Sequence, residues 1–318
     1  MVKIKNIIDY EFYSLVESIK DLSYQKLFEK IKTNYKSLNK QTKKILEDYF
    51  DKFTFWGSLH EEINDFDEID NKVRTLTTHI DDFVWFYENL ADYTSRHLLF
   101  SIINNFVNYD FYNLERSISH CEKHYFDFDL IPSCSNEVFV DLGAYTGDTI
   151  LDFLTCYSID CYNKIYCYEI TPSIFEYLKK NLLPYKNIIL KDKAVQDKEG
   201  FIFIKDNIAD PSANTTNELG EIKIESVTLD KDIKEKITMI KMDIEGDEEK
   251  AILGCKNHIK NDCPTLMVSL YHNNDHFWKL PQIIHEYNNQ YSFYLRNFGG
   301  GLYPTEIVLY AINKRLIK

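Results

Sequence analysis

The chain has 318 residues, a formal net charge of −13 at pH 7 and an aromatic content of 15%. This length is enough for a core domain of about 190 residues and a smaller second domain. The excess of acidic over basic residues argues against nucleic acid or an anionic membrane surface as a partner.

The cysteines and the first residues of the chain indicate the compartment. The seven cysteines show no C-x-x-C pair and no zinc-ligand spacing, which favours a reduced protein of the cytosol. The first residues, MVKIKNIIDYEFY, lack the apolar stretch of a signal peptide. The longest apolar runs, such as Leu98–Val107, are too short to span a bilayer. We therefore expect a soluble, cytoplasmic protein without a membrane span.

Residues 1–125 predict an N-terminal α-helical domain. Apolar residues recur there at helical spacing, as at Phe12, Leu15 and Ile19, and this stretch contains no proline. The acidic and polar segment Asn64–Asn71, NDFDEIDN, predicts a loop within the domain.

The pattern of predicted elements changes in the second predicted domain, residues 126–318. Strands and helices alternate there, which favours a mostly parallel sheet. The last two strands flank the glycine-rich NFGGGLYP turn and could form an antiparallel pair. The predicted strands are 137–141, 164–169, 187–191, 201–204, 222–228, 238–243, 265–270, 291–296 and 306–312, and the helices between them include Pro172–Leu183, Asp247–Ile259 and Phe277–Tyr287.

The segment Glu137–Thr149, EVFVDLGAYTGDT, predicts a strand, a tight turn and a helix. Three β-forming residues run into Asp141, and two glycines, Gly143 and Gly147, follow before the helix opens. At such a turn the backbone can approach a ligand closely, and the helix N-terminus offers unpaired N–H groups.

A second acidic residue narrows the class of ligand. Glu169 lies 28 residues beyond Asp141, at the end of a second predicted strand, where a carboxylate can bind the two hydroxyls of a ribose. The spacing D-x-G-x-x-x-G differs from the dinucleotide fingerprint G-x-G-x-x-G. Asp141 and Asp148 would repel a diphosphate but suit an ammonium group. These features favour S-adenosylmethionine over a nicotinamide dinucleotide, and an αβ turn without a ligand is the alternative.

At this point the chain resembles the FkbM-type family of class I S-adenosylmethionine-dependent methyltransferases. The matching segments, in the family's order, are EVFVDLGAYTGDT, KIYCYEITPSIFEYLKKNL, AVQDKEG, VTLD, MIKMDIEGDEEKAILG, SLYH and TEIVLYAI. One departure is that the family usually has Glu-Pro where this chain has Glu169 and Ile170. The resemblance implies an α/β fold with a Rossmann-like, mostly parallel seven-stranded sheet and S-adenosylmethionine as the cofactor.

Ligands of an open α/β sheet bind outside the carboxyl ends of its strands. Ala194 is suited to the face of an adenine and Asp192 to its exocyclic amine, with a plain strand-to-loop turn as the alternative. The expected cofactor-binding residues are Asp141, Gly143, Ala144, Tyr145, Thr146, Gly147, Asp148, Thr149, Glu169, Ile170, Asp192, Ala194 and Asp243.

Three residues are candidates for catalysis. Asp243 and Glu245 follow the MIKMD strand, where carboxylates can stabilise a bound cation or take a proton from the acceptor. Asp247 fits better as a first-turn residue of the following helix. His272, in SLYH, is the candidate general base, because an ordinary pKa near 6.5 leaves it largely neutral at pH 7. We expect it to face Asp243 across the acceptor. Three carboxylates could also hold Mg²⁺, but no metal site is predicted.

The resemblance also suggests the acceptor, since many bacterial members of the family are associated with surface polysaccharides. We expect O-methylation of a sugar or surface-glycan precursor. The alternatives are a natural-product hydroxyl or amine, a nicotinamide-dependent oxidoreductase, and a non-catalytic cofactor-binding or scaffold protein. The polar segment Lys205–Gly220 is a candidate to bind a polyhydroxylated acceptor, with an exposed loop as the alternative. The helical domain could form a homodimer, cover the acceptor pocket or bind a glycan-assembly partner.

Overall fold

A computed structural model describes residues 4–121, 123–204 and 222–314 of the chain. The segment predicted to bind the acceptor, Lys205–Gly220, lies outside these described residues. Within the described ranges, no helix combines the length and the apolar character needed to cross a membrane.

Helices dominate the first third of the chain, and strands and helices alternate after it. The helices are α1 (Ile7–Lys20), α2 (Tyr24–Ser37), α3 (Lys40–Lys52), α4 (Asp67–Asn89), α5 (Tyr93–Asn108), α6 (Phe111–Arg116), α7 (Asp148–Tyr157), α8 (Pro172–Leu182), α9 (Leu229–Asp232), α10 (Glu248–Gly254) and α11 (His276–Tyr287). The strands are β1 (Glu137–Leu142), β2 (Tyr162–Tyr168), β3 (Ile188–Lys191), β4 (Ala194–Val195), β5 (Gly200–Ile204), β6 (Ile222–Val227), β7 (Met239–Met242), β8 (Thr265–Ser269), β9 (Tyr291–Asn297) and β10 (Ile307–Asn313).

The chain divides into two units. The first unit contains the described residues of Met1–Ser119, Leu270–Gln282 and Phe293–Val308. The second unit contains those of His120–Ser269, Ile283–Ser292 and Leu309–Lys318. The boundary between two domains after residue 125 stays a prediction.

Side-chain caps set where four helices of the first unit begin. Asn6, Asn39, Asp92 and Asp110 each accept a hydrogen bond from a backbone N–H three residues further along the chain. Such caps satisfy donors that have no partner inside the helix. The prediction of a helical N-terminal region is confirmed.

The loop predicted at Asn64–Asn71 is wrong from Asp67 onward, because α4 begins there. Asp67, Glu68 and Asp70 lie in the first turn of this helix. Carboxylates are favourable at that position, since the helix dipole places partial positive charge at the N-terminus. The acidic composition therefore marks the start of a helix.

A fully buried ion pair lies inside the first unit. The ammonium nitrogen Nζ of Lys72 is 2.5 Å from Oε1 of Glu68, and neither side chain is exposed. Three aromatic rings surround the ammonium, with centroids at 5.3 Å (Phe106), 4.7 Å (Tyr109) and 5.1 Å (Tyr303). The negative faces of these rings partly replace the water that burial removes from the lysine.

The main sheet has seven strands in the order β3-β2-β1-β7-β8-β10-β9. The pairs β2–β3, β1–β2, β1–β7 and β7–β8 are parallel, so the predicted mostly parallel seven-stranded sheet is confirmed. The direction in which successive strands are added reverses between β1 and β7. This switch point is where open α/β sheets bind ligands, at the carboxyl ends of the strands.

A second, three-stranded sheet has the order β4-β6-β5. Strand β6 pairs parallel with β4 and antiparallel with β5. The strands predicted at 201–204 and 222–228 therefore exist, but they belong to this smaller sheet.

Candidate active site

The turn between β1 and α7 depends on glycine. Gly143 and Gly147 have φ angles of +79° and +87°, a region that side chains with a Cβ rarely adopt. A Cβ atom on Gly143 would lie 1.9 Å from the carbonyl oxygen of Asp243. The sequence of this turn therefore lets the loops that follow β1 and β7 pack backbone to backbone.

Glu169 joins the end of β2 to this turn. One carboxylate oxygen accepts the N–H of Tyr145 at 3.0 Å, and the other accepts the N–H of Thr171 at 2.7 Å. Burial raises the pKa of Glu169, and the N–H groups of Thr171 and Tyr145 oppose that shift. The hydroxyl of Thr171 also bonds to this carboxylate, so about one of its four acceptor positions remains for a hydroxyl of a ribose.

Asp141 is fully buried, and its carboxylate contacts Lys241 of the neighbouring strand β7. Nζ of Lys241 lies 3.1 Å from Oδ1 of Asp141 and donates to the carbonyl oxygen of Gly143 at 2.7 Å. Burial raises the pKa of Asp141 to about 6, against the opposing effect of the ammonium. Burial alone would lower the pKa of Lys241, but the carboxylates of Asp141 and Asp243 raise it above its usual value. The pair is therefore ionised at pH 7.

Lys241 and Tyr125 were not predicted as site residues from the sequence. A signal for Lys241 exists, because it is the one charged residue within the apolar strand MIKM. The hydroxyl of Tyr125 donates to Oδ2 of Asp243 at 2.7 Å, and its ring centroid lies 5.4 Å from Nζ of Lys241. No local pattern indicates this contact, since 118 positions separate Tyr125 from Asp243.

Glu248 shapes the loop that follows β7. Its Oε1 accepts the N–H of Ile244 at 3.0 Å and that of Gly246 at 3.4 Å. Glu245, between them, has a left-handed backbone with φ of 55°. Glu248 is fully buried, so its carboxylate holds the loop that carries the predicted catalytic residues Asp243 and Glu245.

Asp247 has a structural role at the start of α10. It is the N-cap residue of that helix. Its carboxylate accepts hydrogen bonds from Nε2 of Gln196 at 2.9 Å and from Nζ of Lys250 at 2.6 Å. Asp247 therefore precedes the first turn, whose acidic residues are Glu248 and Glu249.

The residues predicted to bind the adenine lie partly together. Ala194 belongs to a buried apolar cluster with Ile204 and Ile224, and Ile170 packs against that cluster. The side chain of Asp192 is exposed. The structure therefore brings Ile170 and Ala194 to one apolar wall beside the end of β2.

The remaining predicted residues differ in exposure. Tyr145 and Asp148 are exposed in the glycine turn, whereas Ala144 and Thr149 are buried and Thr146 is half-buried.

His272 lies in the first unit, three residues after the end of β8. It is buried, and its ring is 5.9 Å from that of Phe55 and 4.1 Å from that of Tyr271, measured between centroids. Its role as general base stays a prediction.

The strand order, the glycine turn after β1 and the carboxylate at the end of β2 define a Rossmann-like, class I methyltransferase fold. Residues 141–296 match the model of the methyltransferase FkbM domain. This part of the chain is therefore similar to the methyltransferase domain of the FkbM family. A comparison with curated proteins gave no match.

One solved methyltransferase structure shows the same fold. Methyltransferase FkbM from Methylobacillus flagellatus KT is similar, with a TM-score of 0.64 and 20% identity over 76% of this chain. The match spans 62% of that protein, which is less than two thirds of its length. An rRNA methylase from Streptococcus thermophilus (TM-score 0.38, 11% identity, 57% of this chain and 90% of that one) is also similar.

A further similar structure is fibrillarin from Aeropyrum pernix, in complex with natively bound S-adenosyl-L-methionine. Its TM-score is 0.36 at 10% identity, over 57% of this chain and 69% of that one.

S-adenosylmethionine is the cofactor of class I methyltransferases, and the residues of the second unit fit it. The glycine turn allows close approach of the backbone, and the carboxylate of Glu169 retains an acceptor position for a ribose hydroxyl. Ile170 packs against the buried apolar cluster that contains Ala194, and contact of these two residues with an adenine stays a prediction.

Proposed function

We propose that the chain is an S-adenosylmethionine-dependent O-methyltransferase that acts on a hydroxyl of a sugar or a surface-glycan precursor. The observation that carries the cofactor assignment is the position of Glu169, whose two oxygens tie the end of β2 to the turn after β1. The sugar acceptor is supported by the family resemblance alone. A cytoplasmic location and a homodimer stay predictions.

Binding of the cofactor would draw on three parts of the second unit. Glu169 would accept a hydroxyl of the ribose, and Ile170 with Ala194 would contact the adenine. Asp141 would act indirectly, because its buried carboxylate orients Lys241, which in turn holds the carbonyl of Gly143. The turn would then present its backbone to the amino-acid part of the cofactor.

Catalysis would consist mainly of alignment. The cofactor supplies a methyl group that is already activated on a sulfonium centre. Holding the acceptor oxygen in line with that methyl can lower the barrier by about 7–11 kcal/mol, and a base adds a factor of about 10²–10⁴. Asp243, fixed by the hydroxyl of Tyr125, and Glu245 on the same loop are the proposed acidic residues.

The proposal is tested by titration calorimetry with S-adenosylhomocysteine. We expect micromolar binding to the wild type and about tenfold to hundredfold weaker binding to Glu169→Gln, because a hydrogen bond to a charged group contributes about 1.5–3 kcal/mol. The matched control is Glu176→Gln, an exposed carboxylate of α8 in the same unit, which should bind as the wild type does. Absence of binding to folded wild-type protein would contradict the proposal.

The acceptor is tested separately by transfer of a radiolabelled methyl group. Sugars, phenolic natural products and amines are offered in parallel to the wild type and to Asp243→Asn. Transfer to a sugar hydroxyl that is lost in Asp243→Asn supports the proposal. Transfer to another class only, or S-adenosylhomocysteine binding without any transfer, would favour the alternative acceptors or a non-catalytic protein.

A further inference from the structure

A cavity of about 320 Å³ lies within the first unit. Its wall comes from Phe55 and Trp56, from α4 between Asn71 and His79, and from residues 273–275 ahead of α11. None of these residues belongs to the candidate cofactor site. The volume is at the lower end of the range for small-molecule pockets, about 300–1,000 Å³, and suits a single sugar ring.

The wall of the cavity is held in place by its own contacts. Oδ1 of Asp275 accepts the hydroxyl of Thr75 at 2.7 Å and Nε1 of Trp278 at 3.2 Å. The ring of Trp278 stacks on His79, with 4.0 Å between centroids. The cavity is therefore largely formed in advance, which reduces the entropy lost on binding.

Helix α4 leaves helical geometry where it lines the cavity. The φ and ψ angles of His79 are −122° and 16°, so the helix is kinked there. Such kinks need a local cause, and this one is not at a proline. Nδ1 of His79 lies 2.9 Å from Oδ2 of Asp82, a contact that stabilises the irregular turn.

The chemistry of the lining matches a neutral, polyhydroxylated ligand. Arg74 and Asn71 carry donors and are hydrogen-bonded to each other, and Asp275 supplies acceptors. The positive charge of Arg74 is offset by Asp275 and by Asp70, whose Oδ2 is 3.8 Å from its guanidinium. This balance disfavours a phosphate, which needs a net positive site. Phe55 is 36% exposed and offers an aromatic face to the C–H face of a sugar ring.

We propose that this cavity is a second ligand site that binds a neutral pyranose. The sugar would pack on Phe55, and its hydroxyls would bond to Arg74 and Asp275. Binding of a sugar here is independent of the cofactor site.

The test uses the full chain and saturation-transfer NMR with methyl pyranosides of glucose, mannose, galactose and N-acetylglucosamine. We expect at least one to bind with a Kd on the order of 1 mM. Arg74→Ala and Phe55→Ala should each weaken that binding about tenfold or more. Arg116→Ala removes an exposed arginine of the same unit outside the cavity, and it should bind as the wild type does.

Three results would overturn the proposal. These are no pyranoside binding to folded wild type, binding that neither cavity variant weakens, and binding of uridine diphosphate in place of the sugars. Titration with S-adenosylhomocysteine in the same samples separates the two hypotheses. Pyranoside binding without S-adenosylhomocysteine binding would remove the proposed function and leave the cavity site standing.

Discussion

The two units of this protein bury lysine in different surroundings. In the first unit, Lys72 pairs with Glu68 among aromatic rings. In the second, Lys241 pairs with Asp141 and also donates to the backbone carbonyl of Gly143. Both pairs are almost fully buried, so the comparison isolates the effect of what lines each pocket.

The difference lies in which charge states the surroundings favour. Burial raises the pKa of Glu68 and lowers the pKa of Lys72, so both shifts favour neutral groups. The pKa of Lys241 is raised despite burial, because the carboxylates of Asp141 and Asp243 favour the ammonium. The aromatic rings around Lys72 do not fully replace the hydration that burial removes from the pair. The carboxylates and the backbone carbonyl around Lys241 do so, and they keep this buried lysine charged.

The largest expected effect comes from removing the lysine of the second unit. Lys241→Met leaves the buried Asp141 without its counter-charge and should lower the free energy of unfolding by about 3–5 kcal/mol. Urea denaturation followed by circular dichroism measures this change. The double variant Asp141→Asn/Lys241→Met should recover most of the loss. A single variant as stable as the wild type would show that the pair contributes nothing.

Lys72→Met should have an effect that depends on pH. Glu68 then has to be neutral in the folded protein, and protonation from its ordinary pKa of 4.5 costs about 3 kcal/mol at pH 7. The folded state holds a proton that the unfolded chain releases above pH 4.5, so the loss of stability grows as pH rises. We expect a deficit below about 1 kcal/mol at pH 5.

The check on this variant is urea denaturation at pH 5 and pH 7. Glu68→Gln/Lys72→Met has no titrating carboxyl at this position and should show the same deficit at both pH values. Equal deficits for Lys72→Met at the two pH values would show that Glu68 stays ionised without its lysine.

Asp141 should produce a pH dependence of its own in the wild type. Its pKa is raised from 3.8 to about 6 on folding, so the folded state binds a proton more tightly than the unfolded chain. Its contribution to stability is therefore present below pH 3.8 and is lost as pH rises through about 6.

The difference in free energy of unfolding between wild type and Asp141→Asn/Lys241→Met measures this contribution. Between pH 4 and pH 6.5 we expect the wild type to lose about 2–3 kcal/mol of stability relative to the double variant. A constant difference across this range would contradict the raised pKa of Asp141.

The smallest expected effect is that of Tyr125→Phe. The variant removes the hydroxyl that donates to Asp243 but keeps the ring near Lys241. Loss of one hydrogen bond to a carboxylate should lower stability by about 1–2 kcal/mol. The control Tyr177→Phe changes an exposed tyrosine of the same unit and should leave stability unchanged. Equal behaviour of the two variants would remove Tyr125 from the network around Lys241.

Much of the second unit could be predicted from short stretches of sequence. The motif D-x-G-x-x-x-G predicts the glycine turn after β1, and KIYCYE predicts the acidic end of β2. Each feature is encoded by a few neighbouring residues. The role of Glu169 as a ribose ligand stays a prediction, but its place beside the turn is what the sequence indicated. The helical spacing of the N-terminal region likewise predicted helices that the structure contains.

The features that the sequence does not predict depend mainly on contacts between residues far apart in the chain. The acidic segment after Asn64 is a different case, because Asp67, Glu68 and Asp70 lie in the first turn of α4, where the helix dipole favours carboxylates. The sequence does not predict a role for Lys241, because the function of a charged residue in a buried strand depends on its partner, which here is Asp141 of another strand. The cavity beside the kink at His79 could not be predicted, since residues 200 positions apart form its wall.

The sequence by itself determined most of the strands and helices and the glycine turn, because periodicity, capping and turn chemistry act between residues close in the chain. Only the tertiary structure decided which buried charges are compensated. The lysine that holds the turn of Gly143 comes from a strand 98 residues further along. The free energy of a buried charge depends on every group within a few ångströms, and folding alone brings those groups together.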